Sequence, residues 1–82
     1  MKAAPTIEGS SAGDRLFLHR EARGWTQTEV ARRSGVNRVS VVFMEGGKTT
    51  PRPMTIKRIA RAFGLSTEEF LQGPIPERKT KE

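Results

Sequence analysis

The sequence contains no cysteine and no tyrosine, a single histidine and a single tryptophan. No apolar run comes near the ~20 residues that cross a bilayer. Each absence removes a class of protein. Without cysteine there is neither a disulfide framework nor a thiolate metal site, which fits a reducing compartment. His19 stands alone, so no cluster of histidines can assemble a metal centre, and a packing role is expected for it. There is no pair of carboxylates at a shared position and no length of chain from which to build a pocket, so an enzyme is not expected. The N-terminal stretch MKAAPTIEGSSAGD lacks the apolar core of a secretory signal. The expectation is one soluble, cytoplasmic domain with no cofactor, no membrane contact and no small-molecule ligand.

Positive charge is what the chain has in excess. Fifteen Lys and Arg face nine Asp and Glu, for a net charge of +6 over 82 residues. The surplus is concentrated: Asp14 to Phe63 holds eleven basic residues and four acidic ones. Such a field suits a polyanion, nucleic acid before membrane. A merely well-solvated surface fits the same count.

Glycine and proline divide the chain. Residues 1–12, rich in Ala, Pro, Gly and Ser, read as a flexible arm, residues 13–73 as the domain, and residues 74–82 (PIPERKTKE) as a flexible tail. Between Asp14 and Gly73, glycines at 24, 35, 46 or 47, 64 and 73 each follow a stretch of helical length, where glycine is the usual stop. Five short helices result. The first runs from about Asp14 to Arg23. The second opens on a capping box, TQTE from Thr26 to Glu29, and ends near Ser34. The third follows Asn37 and ends at Glu45. The fourth follows Pro51 and Pro53 and carries the stripe Ile56, Ile59, Ala60, Phe63. The fifth opens on a second box, Ser66 to Glu69, and presents Leu65, Phe70 and Leu71. Leu16, Phe17 and Leu18 cannot all face one core, so one of them packs under the arm or is exposed.

Gln27 to Gly46 is the informative segment. Val30 and Ala31 fall on one face of the second helix, Gly35 supplies a turn residue tolerant of positive φ, and Val36 plugs the turn. Val41 and Met44 supply the facing side of the third helix. A small residue at the crossing, a glycine in the turn and apolar ties on both sides are what a helix-turn-helix requires.

On these residues, with Arg20, GWTQ from Gly24 to Gln27, Gly47-Lys48, Pro51 and IARAFGLS from Ile59 to Ser66, the chain resembles the phage repressor and Cro type of helix-turn-helix, the XRE family. The resemblance covers roughly Leu16 to Leu71. It implies an all-α, compact five-helix lambda-repressor-like domain, a sequence-specific double-stranded-DNA-binding transcriptional regulator acting as a repressor, and a homodimer on a palindromic operator. Asn37, Arg38, Val39, Val42 and Phe43 match positions that face the major groove. Thr26, Gln27, Ser40, Lys48, Thr49 and Arg52 match positions at or near DNA phosphates. Arg20 and Glu45 match a structural ion pair that ties the first helix to the end of the third.

The reading face departs from the family pattern, which favours polar side chains. Arg suits guanine O6/N7, Asn suits adenine N6/N7, and apolar groups touch thymine methyls, so this face would favour G beside T. Val39, Val42 and Phe43 fit three roles: DNA contact, packing against the domain, or a protein-binding patch. The last would make the chain an antitoxin-like or accessory interaction module on the same scaffold. GGKTT from Gly46 to Thr50 resembles the end of a phosphate-binding loop, but position 42 is Val rather than the Gly that loop needs, and a helix precedes it.

Overall fold

The computed structural model describes residues 11–75; the segments 1–10 and 76–82, which hold most of the expected arm and tail, lie outside the described residues. The described chain is all-helical: α1 (Ala12–Arg23), α2 (Gln27–Ser34), α3 (Arg38–Glu45), α4 (Pro53–Ala62) and α5 (Thr67–Gln72). No helix among these residues is long and apolar enough to cross a membrane.

α1 starts two residues before the sequence-based boundary. Ser11 and Asp14 form a reciprocal capping box: the Ser11 hydroxyl accepts the Asp14 N–H at 3.0 Å, and the Asp14 carboxylate accepts the Ser11 N–H at 3.3 Å. Ser11 and Ala12, assigned by composition to the arm, therefore belong to the helix end. The box expected at α2 is only half formed. Thr26 Oγ1 accepts the Glu29 N–H at 3.0 Å, but the Glu29 carboxylate faces Arg32 and Arg33 one turn along. Two guanidiniums at i+3 and i+4 outcompete one neutral amide for it. The Ser66–Glu69 box at α5 is complete, at 3.0 and 2.8 Å. Gly73 ends α5 in extended backbone, not in the left-handed form expected of a glycine stop.

The core is Leu16, Val30, Val41, Met44, Ile59, Ala60, Phe63 and Phe70, with Ala31, Val36, Ile56, Leu65 and Leu71 packed around it. The α2–α3 turn is made by Gly35 at φ 76°, a left-handed conformation that a Cβ disfavours. Of the three apolar neighbours on α1, Leu16 is buried, Leu18 half-buried and Phe17 exposed. The Arg20 guanidinium lies 5.4 Å from the Phe17 ring centroid. His19 is fully buried between the rings of Phe63 and Phe70, at 5.3 and 5.6 Å.

Gly13 sets how closely α1 approaches α3. A methyl group there would lie 2.0 Å from the Met44 carbonyl oxygen, and backbone cannot swing aside as a side chain can. Gly13→Ala should therefore destabilise the domain by about 1–3 kcal/mol, despite alanine's higher helix propensity. A urea melt showing a stabilised variant would refute this close approach.

Candidate nucleic-acid interface

α3 is amphipathic with an unusual outer face. Val41 and Met44 are buried, as the helix-turn-helix pattern requires. Opposite them, Arg38, Val39, Ser40 and Phe43 are exposed and Val42 is half-buried. Val39 keeps 52% of its surface in solvent and Phe43 43%, so neither is part of the buried core. Asn37 begins the helix, its Oδ1 accepting the Val39 N–H at 2.8 Å. That oxygen therefore has a structural duty as well as any duty to a base.

The Arg20–Glu45 pair is present and bidentate. Arg20 Nε donates to Glu45 Oε2 at 2.7 Å and Nη2 donates to Oε1 at 3.0 Å, with side-chain exposures of only 12% and 8%. Arg20 Nη1 donates in addition to the Trp25 carbonyl at 2.9 Å. The hydrogen bonds that Arg20 donates to Glu45 raise its pKa further above its already high ordinary value. Gln27 joins this pair: its Nε2 donates to Glu45 Oε1 at 3.1 Å.

Lys48, Thr49 and Arg52 are exposed on the segment between α3 and α4, and Arg52 stands at the N-cap position of α4 without capping it. The GGKTT lookalike does not form a phosphate cradle. The N–H groups of Gly46, Gly47 and Lys48 donate to the carbonyls of Val42, Met44 and Phe43, closing the end of α3. Met54, 58% exposed in the first turn of α4, escaped the sequence reading. Its signal was there: it is a large apolar residue off the Ile56, Ile59, Ala60, Phe63 stripe.

The basic surplus separates into two groups. Arg15, Arg20 and Arg23 bond to carbonyls or a carboxylate within the fold, and Arg32 and Arg33 are held by Glu29. Arg38, Lys48, Arg52, Lys57, Arg58 and Arg61 remain exposed. Of these, Arg38, Lys48 and Arg52 lie along α3 and the loop that follows it. Among the described residues no group of three or more acids, histidines or cysteines could hold a metal ion.

Residues 18–70 match the family model described as helix-turn-helix. The chain belongs to the helix-turn-helix family. Within that family it is 31% identical over 67 residues to the HTH-type transcriptional regulator PuuR of Escherichia coli strain K12, a match covering 82% of this chain and 36% of that protein. The chain thus spans about a third of the length of this curated relative. It is also 40% identical over 56 residues to an uncharacterized HTH-type transcriptional regulator of Archaeoglobus fulgidus, covering 68% of this chain and 80% of the relative. Among solved structures, the DNA-binding domain of the P22 c2 repressor shares the fold with a TM-score of 0.73 at 21% identity, over 82% of this chain and 88% of that one. A hypothetical transcription factor, NHTF from Neisseria, superposes with a TM-score of 0.71 at 25% identity, over 87% and 84% of the two chains. The five-helix lambda-repressor-like architecture implied by the sequence is the one this chain has, and it matches these two solved structures.

Proposed function

We propose that this chain is a transcriptional regulator, acting as a repressor, that binds a palindromic operator as a homodimer in the cytoplasm and reads the major groove with α3. The observation that carries this reading is the exposed outer face of α3, one guanidinium among apolar groups, flanked by exposed cations. An apolar face in water is costly, and the groove offers it thymine methyls. Arg38 supplies the bidentate contact to guanine O6 and N7. Val39, Val42 and Phe43 lie against thymine methyls. Asn37 keeps Oδ1 on its cap and offers Nδ2 to a base acceptor. Gln27 and Ser40, with the Thr26 hydroxyl, Lys48, Thr49 and Arg52, hold phosphates and set the orientation without reading sequence. The N-terminus of α2 favours an anion through its unbonded amides.

Selection of bound duplexes from a random library tests the reading. The expected site carries an enriched G beside T-rich steps, in two half-sites about 34 Å apart. Arg38→Ala should lose the G preference and roughly 10- to 100-fold in affinity. Phe43→Ala should leave the melting temperature nearly unchanged and weaken operator binding, because its ring is not part of the core. Affinity should fall with salt at a log–log slope of about −0.9 per phosphate neutralised. A salt-insensitive complex, or a selection that enriches nothing, would refute the proposal.

A further inference from the structure

Glu45 poses a question the proposed function does not answer. A carboxylate beside residues that hold phosphates should repel them, yet this one is part of the same hydrogen-bond network as Gln27. Its geometry resolves the conflict. Arg20 approaches in a fork on both oxygens, and Glu45 is almost wholly screened from solvent, so its charge is neutralised inside the fold. Its Oε1 also accepts from Gln27 Nε2 at 3.1 Å. A carboxylate flanked by arginine only accepts, so the amide group turned towards it must be the NH2. One of the two Nε2 hydrogens is thereby fixed inward. The other is left, in a defined direction, at the first residue of α2.

We propose that Glu45 is a positioning residue for DNA binding. Held by Arg20, it fixes the Gln27 amide so that the second Nε2 hydrogen meets a phosphate at the α2 N-terminus. It also ties that phosphate contact to the last residue of the recognition helix. The three elements joined here, α1 through Arg20, α2 through Gln27 and α3 through Glu45, then set the angle between backbone grip and groove reader as one unit. This rests on the reading that Gln27 contacts a phosphate.

A double-mutant cycle on the selected duplex separates the two claims. Gln27→Ala should weaken binding about five- to tenfold, the size of one hydrogen bond. Glu45→Gln should weaken it similarly in the wild-type background and add nothing beyond about twofold when Gln27 is already Ala. Equal penalties from Glu45→Gln in both backgrounds would overturn the positioning role and leave the phosphate contact standing. No effect of Gln27→Ala would remove the contact and the proposal with it. A measurement on the unmutated protein needs no variant to fold: on adding the duplex, the Gln27 Nε2 proton turned away from Glu45 should shift in the NMR spectrum and the one bonded to Glu45 should move little. Neither proton moving, or both moving equally, would overturn the proposal.

Discussion

Replacing Arg15 by Ala should cost the domain about 3–5 kcal/mol, a large share of the stability expected for a chain of this size. Arg15 is 1% exposed, one of the largest fully buried side chains, and carries a charge. Burial lowers its pKa from the ordinary arginine value, but arginine does not lose its proton in proteins. Its partners are carbonyls: Nε donates to Phe70 and Nη2 to Gly73, at the end of α5. It thus acts as a C-cap reached from another helix. α5 has only six residues, too few to persist without tertiary contacts. Removing the guanidinium leaves the buried Phe70 carbonyl unbonded, at about 1–3 kcal/mol, while the part-buried Gly73 carbonyl costs less because water can replace its donor. The vacated volume adds a cavity term. Against this stands the relief of desolvating a buried cation whose Nη1 has no hydrogen-bond partner among the described residues. Denaturant melts decide the balance. Arg15→Met keeps much of the volume and removes the charge, so it should fall between wild type and Ala. A Met variant more stable than wild type would show that desolvation outweighs the cap. Hydrogen exchange should show α5 opening first in both variants.

How much of this was legible follows from the range of each interaction. The turn at Gly35, the core positions Val30, Val41 and Met44, and the caps at Asn37 and Ser66 depend on residues within a few positions of one another, so spacing revealed them. The half-formed box at Thr26 shows where local reasoning fails even at short range: the Thr26 cap was read correctly, but the Glu29 half of the box was not, because that acid has better partners in Arg32 and Arg33. Arg15 and Gly13 were invisible for a different reason. Hydropathy marks an arginine as exposed, and a helical glycine as a weakness, unless the groups they meet are known, and those lie 55 and about 31 positions away. Glu45 was read as a partner of Arg20 because the family pattern pairs them, whereas its bond to Gln27 needed the crossing of α2 and α3 to be in place. The exposure of Val39 and Phe43 was likewise open until the packing of α3 closed off the inner face.

Acidification should destabilise the domain by about 3 kcal/mol between roughly pH 6.5 and pH 4 through His19 alone. The side chain is buried against Phe63 and Phe70, and the charged groups near it, Arg23 and Arg15 on its own helix, are both cations. Burial first, then repulsion by Arg23 and Arg15, lowers its pKa from 6.5 to about 4. Arg23 Nη1 approaches Nδ1 at 3.3 Å, which makes Nδ1 the acceptor and leaves the proton of the neutral ring on Nε2, where no partner lies among the described residues. The sign follows from proton counts. Above pH 6.5 neither folded nor unfolded chain holds the extra proton, and the neutral ring contributes its full share to stability. Below 6.5 the unfolded chain binds a proton that the folded core refuses, so stability falls with pH. The fall from this group ends near pH 4, where the folded form protonates too. At about 1.36 kcal/mol per pKa unit the total is about 3 kcal/mol. His19→Leu is the control, since it keeps an apolar contact with both rings and removes the titration. Urea melts at pH 7, 5.5 and 4 should show wild type losing stability faster than the variant over this window, with the two curves parallel above pH 7. Because the Trp25 ring stacks on Phe63 at 5.5 Å, tryptophan emission can follow the same transition. Parallel pH profiles for wild type and His19→Leu would mean that the buried ring accepts its proton in the folded state as readily as in the unfolded one, and that Arg15 and Arg23 leave it room to do so.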